Sequence, residues 1–312
     1  MKTIIQIILI AVTICGAQAQ LLTAPTPMWK VTLKIVDDAG NPVAGAKAVV
    51  GYLFTNQIVG LSDTNGLFTA SHTDKSFGLV FLASKEGYYS FRQNYDMGFD
   101  YQYNEAKWNP TQTIVLRKIG NPIPMYARRK ESGMMLQREG EPMGFDLIAG
   151  DWVAPFGIGT NVDIFFMVHR KIINDREFDC TLKVSFPNKG DGIAAAPSEE
   201  FVSSAFRTSR TAAENGYEPE LNLHFIDTEL ATNVFGYFIR VETSLDENGN
   251  VKSALYGKIS GNFKFYAGTI KPHSGMGFDY YLNPTPNDRN LEFDPKHNLS
   301  TNLKLLEGVN EP

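Results

Sequence analysis

Cysteine is almost missing from this chain. Its two cysteines are Cys15 and Cys180, and Cys15 falls in a leader-like N-terminus, so a single thiol is left for the folded protein. One thiol closes no internal disulfide, and stability has to come from an apolar core. Histidine is scarce as well. His72, His169, His224, His273 and His297 never stand at metal-ligand spacing, and there is no His-Glu-x-x-His. The sequence has no Gly-x-Ser-x-Gly elbow and no Gly-rich phosphate loop. No metal and no cofactor is expected. The long apolar run Ile4 to Ile14 falls short of a membrane span. An excess of positive charge is lacking too, with a net of −5 at pH 7. Asp146 to Pro312 holds 15 basic against 23 acidic residues, a net of −8, whereas Gln20 to Lys118 holds 9 against 8, a net of +1. An acidic second half argues against nucleic acid and anionic membranes as partners.

The N-terminus has the three parts of a secretory signal peptide: Lys2, the run Ile4 to Ile14, and Gly16-Ala17-Gln18-Ala19. Cleavage is expected after Ala19, which places the mature chain outside the cytoplasm as a secreted, periplasmic or cell-surface protein. The alternative is a lipoprotein acylated at Cys15, but Val12-Thr13-Ile14 is not the residue pattern that such processing uses.

Behind the leader the chain reads as mainly β. Trp29, Val31, Leu33 and Ile35 alternate with Lys30, Thr32 and Lys34, the period-two pattern of a half-buried strand. Turn chemistry follows at Gly40-Asn41-Pro42 and again at Asp63-Thr64-Asn65-Gly66. Phe77 to Leu82 and Ile114-Val115-Leu116 read as buried strands. The motifs Gly40-Asn41-Pro42-Val43-Ala44-Gly45-Ala46, Ser62-Asp63-Thr64-Asn65-Gly66-Leu67-Phe68, Ser84-Lys85-Glu86-Gly87-Tyr88 and Ile114-Val115-Leu116 come in the order of a known family. Over residues 20–118 the chain resembles the carboxypeptidase regulatory-like domain, a transthyretin-like (Ig-like) β-sandwich related to the Cna-B repeats of bacterial surface proteins. The resemblance implies a spacer or interaction module without catalytic residues. Some Cna-B relatives carry Lys–Asn isopeptide crosslinks, and no matching Lys, Asn and acid stand at a motif position here.

The chain departs from that pattern between Phe91 and Trp108, an insertion holding Phe91, Tyr95, Phe99, Tyr101, Tyr103 and Trp108 among polar residues. Rings with polar neighbours stack on sugar faces and anchor interfaces. Tyr95, Tyr101, Tyr103 and Trp108 are therefore the candidate ligand-binding residues, for a polysaccharide or a cell-surface protein. The plainer reading is a loop folded over its own sheet.

Residues 119–145 are broken by Pro122, Pro124, Gly133, Gly140, Pro142 and Gly144, and read as a linker. Within it Arg128-Arg129-Lys130 reads as a solvated charge cluster, with a protease site or a dock for the acidic half as alternatives.

Residues 146–312 read as a larger β-rich domain of sandwich or jelly-roll type with about one helix. Val162 to Val168 and Phe178 to Phe186 alternate cleanly, and the second run puts Cys180 on the apolar face as an inert buried thiol. Leu221 to Phe225, Tyr237 to Val241 and Leu255 to Phe265 supply further strands. Asp246 to Asn250 reads as a hairpin turn, because the glycine and glutamate of a calcium loop are misplaced. The helix is expected at Ser198 to Ala213, capped by Ser198 with Glu199 and Glu200 in its first turn. The stretch Tyr280 to Pro295, with its prolines, asparagines and acids, reads as an extended segment laid across the domain. Its carboxylates Asp288, Glu292 and Asp294 are the candidate catalytic set of a glycan hydrolase. Their plainer role is Asx turns and salt bridges. The preferred reading is a secreted, non-enzymatic binding or structural protein, with the hydrolase as the alternative.

Overall fold

The computed structural model describes residues 29–52, 56–72, 78–96, 110–174, 176–197, 203–226, 229–230, 234–268 and 273–312. The leader, the aromatic positions Phe99, Tyr101, Tyr103 and Trp108, and the expected helix start at 198–202 lie outside these residues.

The first seven strands are β1 (Trp29–Asp37), β2 (Lys47–Gly51), β3 (Ile58–Leu61), β4 (Leu67–His72), β5 (Gly78–Ser84), β6 (Phe91–Asp96) and β7 (Thr111–Leu116). They form two sheets, β4-β1-β7 and β3-β2-β5-β6. The alternation in β1 dictates its place: Trp29, Val31, Leu33 and Ile35 are all fully buried, facing Ala48, Val50, Leu79 and Phe81 of the other sheet. Two of the turn motifs, at 40–46 and 62–68, meet in space. The Ser62 hydroxyl donates to Val43 O at 2.6 Å and accepts from Ala46 N at 2.9 Å, while Ile35 N donates to Gly66 O at 2.7 Å. Gly66 has φ +75°, and a Cβ there would run into the Ile35 carbonyl, so glycine is required. Asp37 ends β1 by accepting from Asn41 N and Ala39 N. Those donors, Asn41 foremost, with Lys118 beside them, bring its carboxyl down to about 2.

The second sandwich is built from β8 (Tyr126–Leu136), β9 (Met143–Asp146), β10 (Asp151–Trp152), β11 (Ile164–Ile172), β12 (Phe178–Ser185), β13 (Gly192–Ala195), β14 (Glu220–Ile226), β15 (Glu229–Leu230), β16 (Gly236–Leu245), β17 (Val251–Tyr266) and β18 (Ser274–Leu282). One sheet runs β10-β9-β11-β12-β14-β15 and the other β13-β16-β17-β18-β8. Phe145, Phe166, Phe263, Phe278 and Tyr280 meet edge-on or tilted between them, and Cys180 lies in the same core at 1% exposure.

Residues 119–145 are not a linker. Their hydrophobic positions supply β8, paired along its length with β18, and β9, paired with β11. Arg128 and Lys130 of the basic run are buried, which removes them from solvent and from a protease. The prolines misled because they stand outside the strands, at 122 and 124 before β8 and at 142 between β8 and β9.

The expected helix is also corrected. Residues 203–213 run as turns and bends without a helix, with Ser204 bridged to Phe91 and Thr211 to Asn290. Ala205 N and Ala212 N donate to Ser90 O and Arg289 O. The backbone groups a helix would pair internally are taken by neighbouring segments, and tertiary contacts override the local cap signal. Among the described residues the one helical turn is the 3-10 turn Pro295–His297.

β18 is buried on both faces. The strap 283–312 and the segment 203–218 cover the outer face of its sheet, forming two satellite cores: one around Tyr281 and Phe293, the other around Phe238, Tyr256 and Leu291.

A buried polar junction as the candidate functional site

The strap carries Glu292 to the place where the two sandwiches meet. It sits there 2% exposed. Its Oε1 accepts from the Tyr89 hydroxyl at 2.7 Å, Gly120 N at 2.7 Å and Arg210 Nη1 at 2.9 Å; its Oε2 accepts from Asn121 N at 2.7 Å. Tyr89 follows the Lys85–Tyr88 motif of the first sandwich, Gly120 and Asn121 leave it, and Arg210 comes from the segment 203–218. One carboxylate thus ties together four pieces of chain. Gly120 is fixed by that approach, since a Cβ there would stand 2.7 Å from Glu292 Oε2.

Around this anion lies a ring-and-cation stack centred on Phe206, which is fully buried. Its ring lies 5.2 Å from that of Tyr89. The cationic groups of Arg117, Lys258 and Arg210 stand 4.5, 4.8 and 5.6 Å from its centroid, within cation–π range. Arg117 Nη1 donates to Phe206 O at 2.8 Å and Thr208 O at 2.7 Å. Lys258, 2% exposed, donates to Thr208 Oγ1 at 3.1 Å and lies 4.4 Å from the Tyr281 ring. Arg210 also reaches Asp38 Oδ2 at 3.0 Å and Lys118 O.

The electrostatics fix the protonation states. Burial alone would raise the Glu292 carboxyl, but Gly120 N, the Tyr89 hydroxyl, Asn121 N and the Arg210 charge outweigh it and hold it below the usual range. Burial, with Glu292 as its acceptor, pushes the Tyr89 phenol well up. The carboxylate stays ionised and the phenol stays a donor, so neither passes a proton near neutral pH. Both acceptor oxygens are in use, and the group is a structural anion.

The other two candidate acids have separate local tasks. Asp288 Oδ1 accepts from Asn290 N at 3.0 Å. Asp294 caps the 3-10 turn through Lys296 N at 3.0 Å and meets His297 Nδ1 at 2.6 Å. Among the described residues no group of three or more His, Cys, Asp or Glu is placed to hold a metal. Of the candidate binding rings, Tyr95 is half-buried and stacks on the core ring of Phe81 at 5.0 Å and 27°.

A second buried acidic knot lies in the loops of the larger sandwich. Asp163 accepts from Leu147 N at 2.7 Å and Asn161 Nδ2 at 3.2 Å. Asp146 accepts from Ala149, Thr160 and Asn161 N–H groups, and Asp191 from Thr243 N at 2.7 Å. Burial first, then the charges of Glu242, Asp146 and Asp191, push the Asp163 carboxyl up to about 7 against the opposing Leu147 N–H.

Tyr89, Arg117, Phe206 and Lys258 were not foreseen as site residues. The one sequence signal was Lys258 itself, a cation between Gly257 and Ile259 inside an apolar strand.

No family model matches the chain, and no curated protein matches it. Among solved structures it is similar to 3-chlorocatechol 1,2-dioxygenase from Rhodococcus opacus 1CP at 15% identity, covering 30% of this chain and 60% of that one, with a TM-score of 0.23. The chain therefore spans less than two thirds of that enzyme. It is similar to a DUF3823 family protein from Parabacteroides merdae at 8% identity over 80% of this chain and 96% of that one, with a TM-score of 0.22. The shaft pilin SpaA from Lactobacillus rhamnosus GG aligns at 9% identity over 76% and 88%, with a TM-score of 0.25. Similarity at this level assigns neither a family nor an activity.

Proposed function

We propose that this chain is a secreted or cell-envelope structural protein without enzymatic activity, in which two β-sandwiches are fastened into one mechanical unit. The observation that carries this reading is the buried Glu292 carboxylate. The acid best placed for chemistry is 2% exposed, ionised and hydrogen-bonded through both oxygens between the sandwiches. A group in that state holds parts together and is closed off from a substrate by its burial. The signal-peptide pattern supports an extracytoplasmic site, and the resemblance of residues 20–118 to regulatory-like spacer modules supports a structural role.

The test is to incubate the purified chain with a panel of soluble and insoluble polysaccharides, measuring retention and released sugar in the same tubes. Neither retention nor release is expected. Release that disappears in Glu292→Gln would overturn the reading in favour of the hydrolase. Retention without release would replace it with a carbohydrate-binding protein and send mutagenesis to Tyr95, Tyr101, Tyr103 and Trp108.

A further inference from the structure

The outer face of the sheet β3-β2-β5-β6 carries a hollow that the junction does not use. The register sets Val59, Val49, Leu82 and Arg92 side by side in one row, and Leu61, Lys47 and Ser84 in the next. These residues alternate with Ala48, Val50, Phe81 and Ala83, which fill the core of the first sandwich, so both rows face away from it. A cavity of about 320 Å³ opens there, lined by Val49, Leu82, Phe91, Lys47, Arg92 and Ser84 among others. That size stands at the low end of small-molecule sites, which run from roughly 300 to 1,000 Å³. Beside it the apolar surface continues onto Val59 and Leu61, 55% and 67% exposed.

The floor of the hollow is apolar and its rim carries charge of one sign. Lys47 and Arg92 stand on β2 and β6, either side of β5, two strand spacings or about 10 Å apart across the sheet. Neither holds an ion pair among the described residues, and no acid lines the cavity. Two like charges facing one hollow repel each other. An anion placed between them removes that repulsion, and an apolar body attached to it covers the floor. The hydroxyls of Ser84 and Ser90, also in the lining, add polar contacts for the anion.

We propose that this hollow binds a small amphiphilic anion, a slender apolar body such as an acyl chain carrying one carboxylate or phosphate. The body lies along Val49 and Leu82 towards Val59, and the anionic head sits between Arg92 and Lys47. The Arg92 guanidinium can meet either kind of head with two parallel N–H groups, and Lys47 adds a point charge from the other side. A concave site of this size takes one molecule, so the ligand is a detached amphiphile and not a membrane face. The site belongs to the first sandwich alone and is independent of the role given to Glu292.

Isothermal titration calorimetry of the purified chain with octanoate tests it, beside acetate as the head alone and 1-octanol as the body alone. Octanoate is expected to bind as a single molecule per chain, and more weakly as salt is added. Acetate and 1-octanol should each bind weaker by on the order of tenfold or more. Lys47→Gln/Arg92→Gln changes two exposed side chains, with circular dichroism to check folding. It should bring octanoate down to the affinity of 1-octanol and leave 1-octanol itself unchanged. Arg138→Gln/Lys304→Gln, which removes two cations elsewhere on the surface, should leave octanoate binding as it is. A chain that does not bind octanoate overturns the proposal. So does a folded Lys47→Gln/Arg92→Gln variant that keeps the wild-type affinity, or a wild type that binds acetate or 1-octanol as tightly as octanoate. Flotation with phosphatidylcholine–phosphatidylglycerol vesicles, lost in that variant and unaccompanied by octanoate binding, would overturn it in favour of a membrane surface.

Discussion

Asp163 and Glu292 are both buried carboxylates, and their surroundings drive them in opposite directions. Glu292 has four donors, including a guanidinium, and stays ionised; its stabilising effect is present above the ordinary glutamate range and fades only as pH falls through its lowered value. Asp163 has weaker support and acids for neighbours, and its carboxyl titrates near 7 instead of 3.8. Between those values the folded chain keeps a proton that the unfolded chain has lost. Stability therefore falls as pH rises from about 4 to about 7 and is level above that. The full difference is worth on the order of 4 kcal/mol. Asp163→Asn removes the titration, so urea midpoints measured at mildly acidic and mildly alkaline pH should move together in the variant and apart in the wild type. An unchanged slope in the variant would show that another group is responsible.

At the level of elements, the strap 283–312 behaves as a structural layer although its one regular element is the 3-10 turn Pro295–His297. Asn283, fully buried, turns the chain out of β18. Its Nδ2 donates to Asp288 O at 3.1 Å and Asn290 O at 3.0 Å, and its Oδ1 accepts from Thr285 N at 2.9 Å. Asn283→Ala takes the partner from three part-buried backbone groups and is expected to cost about 1–3 kcal/mol, read as a lowered urea midpoint with circular dichroism of the folded state unchanged. A loss within a few tenths of a kcal/mol would mean that the strap is held by its apolar contacts alone. Strands with clean alternation, such as β1, β11 and β12, were legible in the sequence because one face meets a core and the other water. β8 was not legible. Tyr126 to Leu136 carries Arg128-Arg129-Lys130 and Gly133, and its charges are buried only because the strap returns Glu307 to them across more than 170 residues. The helix misread over 203–213 has the same cause, since partners for its backbone come from Ser90 and Arg289. Local pattern reports the first shell of burial and is blind to layers added from a distance.

For the whole molecule, the junction couples the separate cores of the two sandwiches. The wild type is expected to show one calorimetric transition. Glu292→Ala leaves the Tyr89 hydroxyl, two N–H groups and the Arg210 cation without their common acceptor, a loss of about 3–5 kcal/mol. The endotherm should then split in two, with the first sandwich released from the second. A single transition, merely shifted, would place the coupling in the apolar contacts of Phe206. The position of Glu292 in a Pro- and Asn-rich stretch did mark it as an unusual acid. Its partners at 89, 120, 121 and 210 are scattered over the chain, and no spacing rule gathers them.

The lone thiol of the second core gives the opening of that core a clock. Cys180 lies 1% exposed between the sheets of the larger sandwich, and burial raises its pKa. A thiol reagent therefore reacts only in the moments when those sheets part, and the first sandwich contributes no signal. The rate of label uptake measures the opening of one half of the molecule while the other half stays silent, with the native residue as its own reporter.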